Sequence, residues 1–174
     1  MRILVIGSCR DDDQEHNVPK HQKLAEELGM ELAKRGHILI TGGAGGLQGI
    51  VADSYKKNGG KSWEVCWAKN EENDKGASPP SGIKPDKETK TDMAYPVRNA
   101  HYIGQCDAVI ALSGLLATLN EIIHAVVGYK IKVLQLDMGE NVRIIRSIPL
   151  LKEKVIISSD VGKGLNFLGY DRTF

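Results

Sequence analysis

Short apolar runs recur along the chain between stretches that have the periodicity of helices. Six of these runs have the length and composition of strands. Several are apolar without alternation, which is typical of strands buried on both faces of a parallel sheet. They are Ile3 to Ile6, Ile38 to Ile40, Trp63 to Trp67, Ala108 to Leu112, Lys132 to Leu136 and Val155 to Ile157. The pattern predicts a mainly parallel sheet of about six strands.

Four helices are predicted between these strands. The first has Leu24, Leu28 and Leu32 on one stripe and ends at Gly36, and the fourth is apolar on more than one face. The first, third and fourth helices are predicted over Pro19 to Arg35, over Arg98 to Gly104, and over about Thr118 to Tyr129. The second is predicted to begin within Gly46 to Gly49 and to stop at Asn58. This alternation predicts an α/β, Rossmann-like doubly wound fold, with helices on both faces and a ligand at the carboxyl ends of the strands.

We predict a single domain over residues 1–174. Two segments within it lack a clear pattern of apolar and polar positions. Residues 69–92 are rich in Asn, Asp, Lys, Gly, Ser and Pro, and they predict a long loop, which is either a mobile surface excursion or a lid over a ligand. The tail over residues 158–174 is uninformative. The apolar fourth helix favours a homodimer or a homotetramer.

Charge and cysteine content narrow the classes of partner. The chain has 174 residues and a net charge of +1, so it lacks the basic excess expected of a protein that binds duplex nucleic acid or a membrane surface. Its three cysteines lie far apart without the spacing of a zinc or redox site, which is typical of reduced thiols in a cytoplasmic protein. No apolar run approaches the length of a membrane span.

The second strand runs directly into a glycine-rich loop, Thr41 to Gly49, which then enters a helix. Residues without a Cβ let the backbone approach a ligand closely, and the free amides and dipole of a helix start favour an anion. A tight turn would need only one or two glycines, so this loop predicts a phosphate site. It is neither a dinucleotide fingerprint nor a P-loop. The predicted ligand-binding glycines are Gly42, Gly43, Gly45, Gly46 and Gly49.

Two further strand ends could carry chemistry. The first strand ends in Gly7 and Ser8, where Ser8 could hydrogen-bond a base or ribose. The acidic run Asp11 to Asp13 beyond it is interpreted as a solvated face, so no metal is predicted. The strand ending at Leu112 leads into a second candidate ligand loop with Ser113, Gly114 and Thr118. Thr118 and Glu121 also have capping-box spacing, and Arg98 alone could be a surface cation.

Taken together, these segments resemble the LOG-type (SLOG) superfamily, whose members were often labelled possible lysine decarboxylases and include cytokinin-nucleotide phosphoribohydrolases. The residues from Gly42 to Asp53 are similar to its glycine-rich motif, and an arginine-bearing helix and a motif ending in Thr-x-x-Glu follow in the same order. Met93 to Asn99 resembles the branch that contains molybdenum-cofactor carrier proteins. The resemblance covers about residues 3 to 136.

The resemblance implies a cleft in which Arg98 positions a ligand and Glu121 acts on the base–sugar bond, as the catalytic pair of the family's hydrolases. The last motif departs from the family at Leu115, Leu116 and Ala117, because Leu115 and Ala117 stand where it has glycines, and a positive φ at Leu115 would be costly. We therefore prefer a carrier or sensor of a nucleotide or a molybdenum-cofactor-like ligand, with no cofactor required. The alternative is a phosphoribohydrolase acting on a purine-type nucleoside 5′-monophosphate. Lysine decarboxylation is disfavoured, since no lysine that could hold pyridoxal phosphate stands beside the phosphate loop.

Overall fold

A seven-stranded, all-parallel sheet forms the centre of the protein. The computed structural model describes residues 1–7, 17–43, 45–69 and 82–169. The strands are β1 Arg2–Ile6, β2 Ile38–Thr41, β3 Trp63–Trp67, β4 Lys87–Lys90, β5 Ala108–Ala111, β6 Lys132–Leu136 and β7 Val155–Ser158. Their order in the sheet is β4-β3-β2-β1-β5-β6-β7. The predicted Rossmann-like doubly wound fold is confirmed, with one strand more than expected.

The chain enters the sheet at its centre and changes direction there. From β1 it moves outward through β2, β3 and β4, and it then returns to β5 on the other side of β1. Ligands of open α/β sheets bind where the strand order reverses, at the carboxyl ends of the strands. In this fold that position lies above β1, between the loops that follow β2 and β5.

Seven helices and one π-helical turn are present in the described ranges. They are α1 Pro19–Lys34, α2 Gly46–Lys57, α3 Tyr95–Ile103, α4 Leu116–Ile123, α5 Asn141–Ser147, α6 Pro149–Lys154 and α7 Val161–Gly169, and the π-helical turn His124–Gly128 directly follows α4. Helices α1, α2 and α7 contribute to the core on one face of the sheet, and α3 to α6 contribute to the core on the other. Successive residues of β1 alternate between these two cores, because strand side chains point to opposite faces.

The structure corrects several predicted boundaries. Strand β4 lies inside the predicted loop 69–92, and α3 starts shortly after that loop. Helix α7 lies inside the uninformative tail. Helix α3 begins at Tyr95 rather than at Arg98, since Pro96 suits the first turn of a helix. The predicted fourth helix ends as an α-helix at Ile123 and continues as the π-helical turn. Residues 70–81 and 170–174 lie outside the described residues, and so do Cys9 and Asp11 to Asp13.

Both cysteines in the described ranges are buried, and neither forms a disulfide there. Cys106 donates a hydrogen bond to the carbonyl oxygen of Tyr102 at 3.1 Å. Burial raises the pKa of the Cys106 thiol to about 12, so the thiol is neutral at physiological pH. For Cys106 these are the properties of a structural cysteine rather than of a reactive one.

An apolar stripe runs along α4 and the π-helical turn on the protein surface. Leu116, Ile123 and Val127 are 77%, 37% and 54% exposed. This is the kind of surface that the predicted homodimer or homotetramer requires, and the oligomeric state remains a prediction. Within the described ranges, every helix is too short or too polar to cross a membrane.

Candidate functional site

The loop between β2 and α2 is held in shape by contacts at its glycines. Gly43 has φ +81°, and a Cβ built on it would lie 2.5 Å from side-chain atoms of Val65 and Trp67, so only glycine fits. The Thr41 hydroxyl accepts hydrogen bonds from the Gly43 amide at 3.2 Å and from the Trp63 indole at 3.0 Å. The first part of the loop, Thr41 to Gly43, is therefore packed against β3.

Helix α2 begins at the end of this loop, as predicted. Gly46 opens the helix with φ +56°, and Gly45 precedes it as the N-cap residue. The Gly49 amide donates to the Gly45 carbonyl oxygen at 3.0 Å and is used within the helix. Gly49 therefore serves the first turn of α2, and its amide is not available to a ligand in this conformation.

Gln48 connects two of the loops at the carboxyl edge, and it was not among the predicted ligand-binding residues. Its side-chain amide donates to the Gly7 carbonyl oxygen at 3.1 Å, and its Oε1 accepts from the Gly42 amide at 3.3 Å. The side chain is buried. Because Gln48 joins the end of β1 to the glycine loop, a ligand that takes the Gly42 amide would have to displace Gln48 Oε1.

The loops after β1 and β5 are in direct contact. Gly7 has φ +137°, and a Cβ built on it would lie 2.5 Å from the Ser113 carbonyl oxygen. The Ser113 hydroxyl is fully buried and has no hydrogen-bond partner among the described residues. Ser8, the other residue predicted at the end of β1, lies outside the described residues.

The loop before α4 differs from the predicted capping box. Helix α4 begins at Leu116, so Thr118 lies inside its first turn, and no side chain caps the helix. Thr118 instead packs against Gly114, which has φ +140° and on which a Cβ would collide with the Thr118 hydroxyl. Leu115 has φ −119° and its side chain is 64% exposed, so leucine at this position needs no positive φ and does not fill the cleft.

Arg98 and Glu121 come together from two different helices. Arg98 on α3 is 5% exposed and Glu121 on α4 is 8% exposed, and both line a small cavity of about 30 Å³ at the end of β1. The interpretation of Arg98 as a surface cation is therefore wrong. The cavity is also lined by Gly42, Gln48, Tyr95, Asn99 and Tyr102.

The Arg98 guanidinium lies directly over the glycine loop. A Cβ built on Gly42 would lie 3.2 Å from Nη1 and 3.7 Å from Nη2 of Arg98. The guanidinium carbon also lies 5.0 Å from the ring centroid of Tyr95, within the range of a cation–π interaction. A buried cation thus shares one cleft with the side-chain-free backbone of Gly42 and the start of α2.

Three other cavities, between α1 and α2, beside the π-helical turn and beside α5, are lined by described residues other than the predicted ones. An open groove of about 610 Å³ lies between α1 and α2 and is lined largely by charged and polar side chains. Among the described residues, no group of three or more His, Cys, Asp or Glu side chains could hold a metal ion. The absence of a metal site from the whole chain remains a prediction.

Comparison with known proteins identifies the family. The model of the SLOG cluster4 family matches residues 1–163. An uncharacterized protein of Archaeoglobus fulgidus is 30% identical over 122 residues, which are 70% of this chain and 71% of that protein. The sequence resemblance to the SLOG superfamily is therefore confirmed.

Several solved structures share the fold at low identity. The molybdenum cofactor binding protein of Rippkaea orientalis has a TM-score of 0.74 and 23% identity, over 96% of this chain and 94% of that one. The molybdenum cofactor carrier protein of Chlamydomonas reinhardtii has a TM-score of 0.72 and 20% identity, over the same shares. DNA processing protein A of Helicobacter pylori, described with a single-stranded DNA binding mode, has a TM-score of 0.67 and 17% identity, over 97% and 80%. Identities this low show the fold and do not identify a ligand.

Proposed function

The chain belongs to the SLOG cluster4 family, and on that premise we propose that it binds a phosphate-bearing small molecule, as a carrier or a sensor. The ligand is a nucleotide or a molybdenum-cofactor-like compound. The observation that carries this proposal is the buried Arg98 guanidinium, which lies over Gly42 in the loop that leads into α2. A cation, a backbone without side chains and a helix N-terminus at one point are the groups that bind phosphate.

Three further observations support a small anionic ligand. The net charge of the chain is +1, so attraction would come from the local cation and not from the field of the whole protein. The cleft also lies where the strand order reverses, which is the general ligand position of this architecture. Two structural neighbours are described as molybdenum cofactor binding or carrier proteins, and this favours a carrier of a phosphate-bearing cofactor.

The Gly42→Ala variant tests the position of the phosphate. The added methyl group would lie between the loop and the Arg98 guanidinium, at 3.2 Å from Nη1. We expect the affinity for inorganic phosphate and for AMP to fall about tenfold, which corresponds to about 1.4 kcal/mol. Isothermal titration calorimetry measures both affinities.

Gly128→Ala is the matched control, because a Cβ built on Gly128 has no neighbour within 4 Å. It should bind both ligands as the wild type does. Neither glycine has a φ in the left-handed region, so both variants should unfold close to the wild-type temperature. Equal affinities for Gly42→Ala and the wild type would contradict a phosphate site at this loop.

The alternative function is an N-glycosidic phosphoribohydrolase, and the shared cavity of Arg98 and Glu121 favours it. A carboxylate next to a ribose could stabilise the positive charge that develops as the base leaves, while the arginine holds the phosphate. If this function is correct, incubation with AMP releases adenine and ribose 5-phosphate, and chromatography detects both products. Glu121→Gln should abolish the release, whereas Glu26→Gln, on the exposed side of α1, should not. Binding of AMP without release of adenine would contradict the hydrolase and leave a carrier or sensor as the function.

A further inference from the structure

Asn99 follows Arg98 on α3 and lines the same cavity. The residue is only 6% exposed, and its Oδ1 atom is buried without a hydrogen-bond partner among the described residues. Most buried polar atoms in folded proteins are hydrogen-bonded, and each exception calls for an explanation. Since Asn99 borders the proposed ligand cleft, its free acceptor indicates a group that is supplied from outside the protein.

The chemistry of the free atom identifies the kind of group that it can bind. A side-chain amide oxygen accepts hydrogen bonds and does not donate them. A phosphate dianion also offers only acceptors, so it cannot satisfy Asn99 Oδ1. The guanidinium of Arg98 carries five N–H donors that suit a phosphate. The two neighbouring side chains therefore differ in what they recognise, and Asn99 requires a donor such as a hydroxyl group.

The position of Asn99 places this donor near the phosphate. Asn99 and Arg98 line the same cavity, so a ligand whose phosphate is bound by Arg98 also lies against Asn99. The cavity that both residues line has a volume of about 30 Å³, which is enough for one water molecule or one polar group of a ligand. Sugar hydroxyls of a nucleotide lie close to its phosphate.

We propose that Asn99 is a specificity-determining residue whose Oδ1 accepts a hydrogen bond from a sugar hydroxyl next to the ligand's phosphate. This rests on the proposed function and adds a ligand class to it, namely phosphate esters that carry a hydroxyl group close to the ester. It also assigns separate tasks to two adjacent residues: Arg98 holds the phosphate, and Asn99 selects the sugar.

The experiment compares AMP, 2′-deoxy-AMP, 3′-deoxy-AMP and inorganic phosphate by calorimetry. At least one deoxy analogue should bind the wild type about tenfold more weakly than AMP, since it leaves the buried acceptor unpaired. Asn99→Leu should bind AMP as weakly as it binds that analogue, and its affinity for inorganic phosphate should be unchanged. A purely structural role of Asn99 would weaken all four ligands together and would leave the ratio of AMP to analogue as it is.

Asn99→Asp is the matched variant, because it keeps an acceptor oxygen. It should bind every ligand more weakly through charge repulsion, while the ratio of AMP to analogue stays at the wild-type value. Thermal unfolding without ligand should show Asn99→Leu at or above the wild-type temperature, since a buried polar atom without a partner is removed.

Two outcomes overturn the inference, and they can be told apart. If the wild type binds neither AMP nor phosphate, the proposed function fails and this inference fails with it. If AMP binds but both deoxy analogues bind equally well, only the role of Asn99 is refuted. This second comparison uses the wild type alone, so it does not depend on the folding of any variant.

Discussion

Replacing Arg98 with glutamine is expected to weaken the binding of AMP and inorganic phosphate about 100-fold. Hydrogen bonds from a charged donor contribute about 1.5–3 kcal/mol, and each 1.4 kcal/mol corresponds to a factor of about ten in affinity. The Arg98 guanidinium is the cation that lies over Gly42 in the cleft. The glycine loop, Thr41 to Gly49, has no charged side chain that could replace it. Calorimetric titration with both ligands measures the loss.

Two variants separate the charge of Arg98 from its geometry. Arg98→Lys keeps the charge but loses the planar pair of donors, so the affinity should fall by about tenfold. Arg143→Gln removes an exposed arginine that pairs with Glu140 on the surface, and it should bind as the wild type does. Because Arg98 is buried, thermal unfolding of Arg98→Gln must show a folded protein before its affinity is interpreted. Wild-type affinity in a folded Arg98→Gln protein would refute the proposed site.

The central strands could be predicted because burial on both faces leaves a signal in the sequence. Continuous apolar runs such as Ala108 to Leu112 occur where helices cover a parallel sheet on both sides. Strand β4 has the opposite character. Its sequence, Lys-Glu-Thr-Lys, is largely exposed at the edge of the sheet, where charged residues discourage pairing with other chains. Its polar residues carry no apolar pattern, so the strand was included in the predicted loop.

The functional site was predictable to a lesser extent. The glycine loop, Arg98 and Glu121 could be selected because strand ends and motif order pointed to them, and the structure brings Gly42 and both side chains to one cavity. Gln48 and Asn99 could not be selected. The role of Gln48 depends on its hydrogen bonds to Gly7 and Gly42, which exist only in the folded chain.

The capping-box spacing of Thr118 and Glu121 shows a second limit of prediction from sequence, because here a pattern matches a motif that the structure does not form. The spacing of Thr118 and Glu121 fits a local motif, but helix α4 starts two residues earlier, and both side chains are buried. Packing against Gly114 and the cleft determines their positions. Local spacing in the sequence cannot distinguish a helix cap from a pair of buried residues when tertiary contacts set the helix start.

Gly29→Val is expected to lower the free energy of unfolding by about 3 kcal/mol, at the upper end of the usual cost of overpacking. Helices α1 and α2 touch at Gly29, where a Cβ would collide with the Val51 carbonyl oxygen and lie 2.8 Å from the Tyr55 amide nitrogen. Backbone atoms of a helix cannot move aside as a flexible side chain can. A hydrogen bond from the Ser54 hydroxyl to the Glu26 carbonyl oxygen, at 2.6 Å, also holds the two helices together. Urea unfolding followed by circular dichroism measures the change.

The same substitution should weaken phosphate binding, because α2 carries the start of the ligand site at Gly46. Pushing α2 away from α1 moves that helix start relative to Arg98, which is anchored on the opposite face of the sheet. Gly162→Ala is the control, since a Cβ there makes only ordinary contacts and alanine favours a helix by about 1 kcal/mol. It should unfold at or above the wild-type urea concentration and bind phosphate normally. A Gly29→Val protein as stable as the wild type would show that the two helices can separate without cost, and would refute the tight α1–α2 contact on which the position of the site depends.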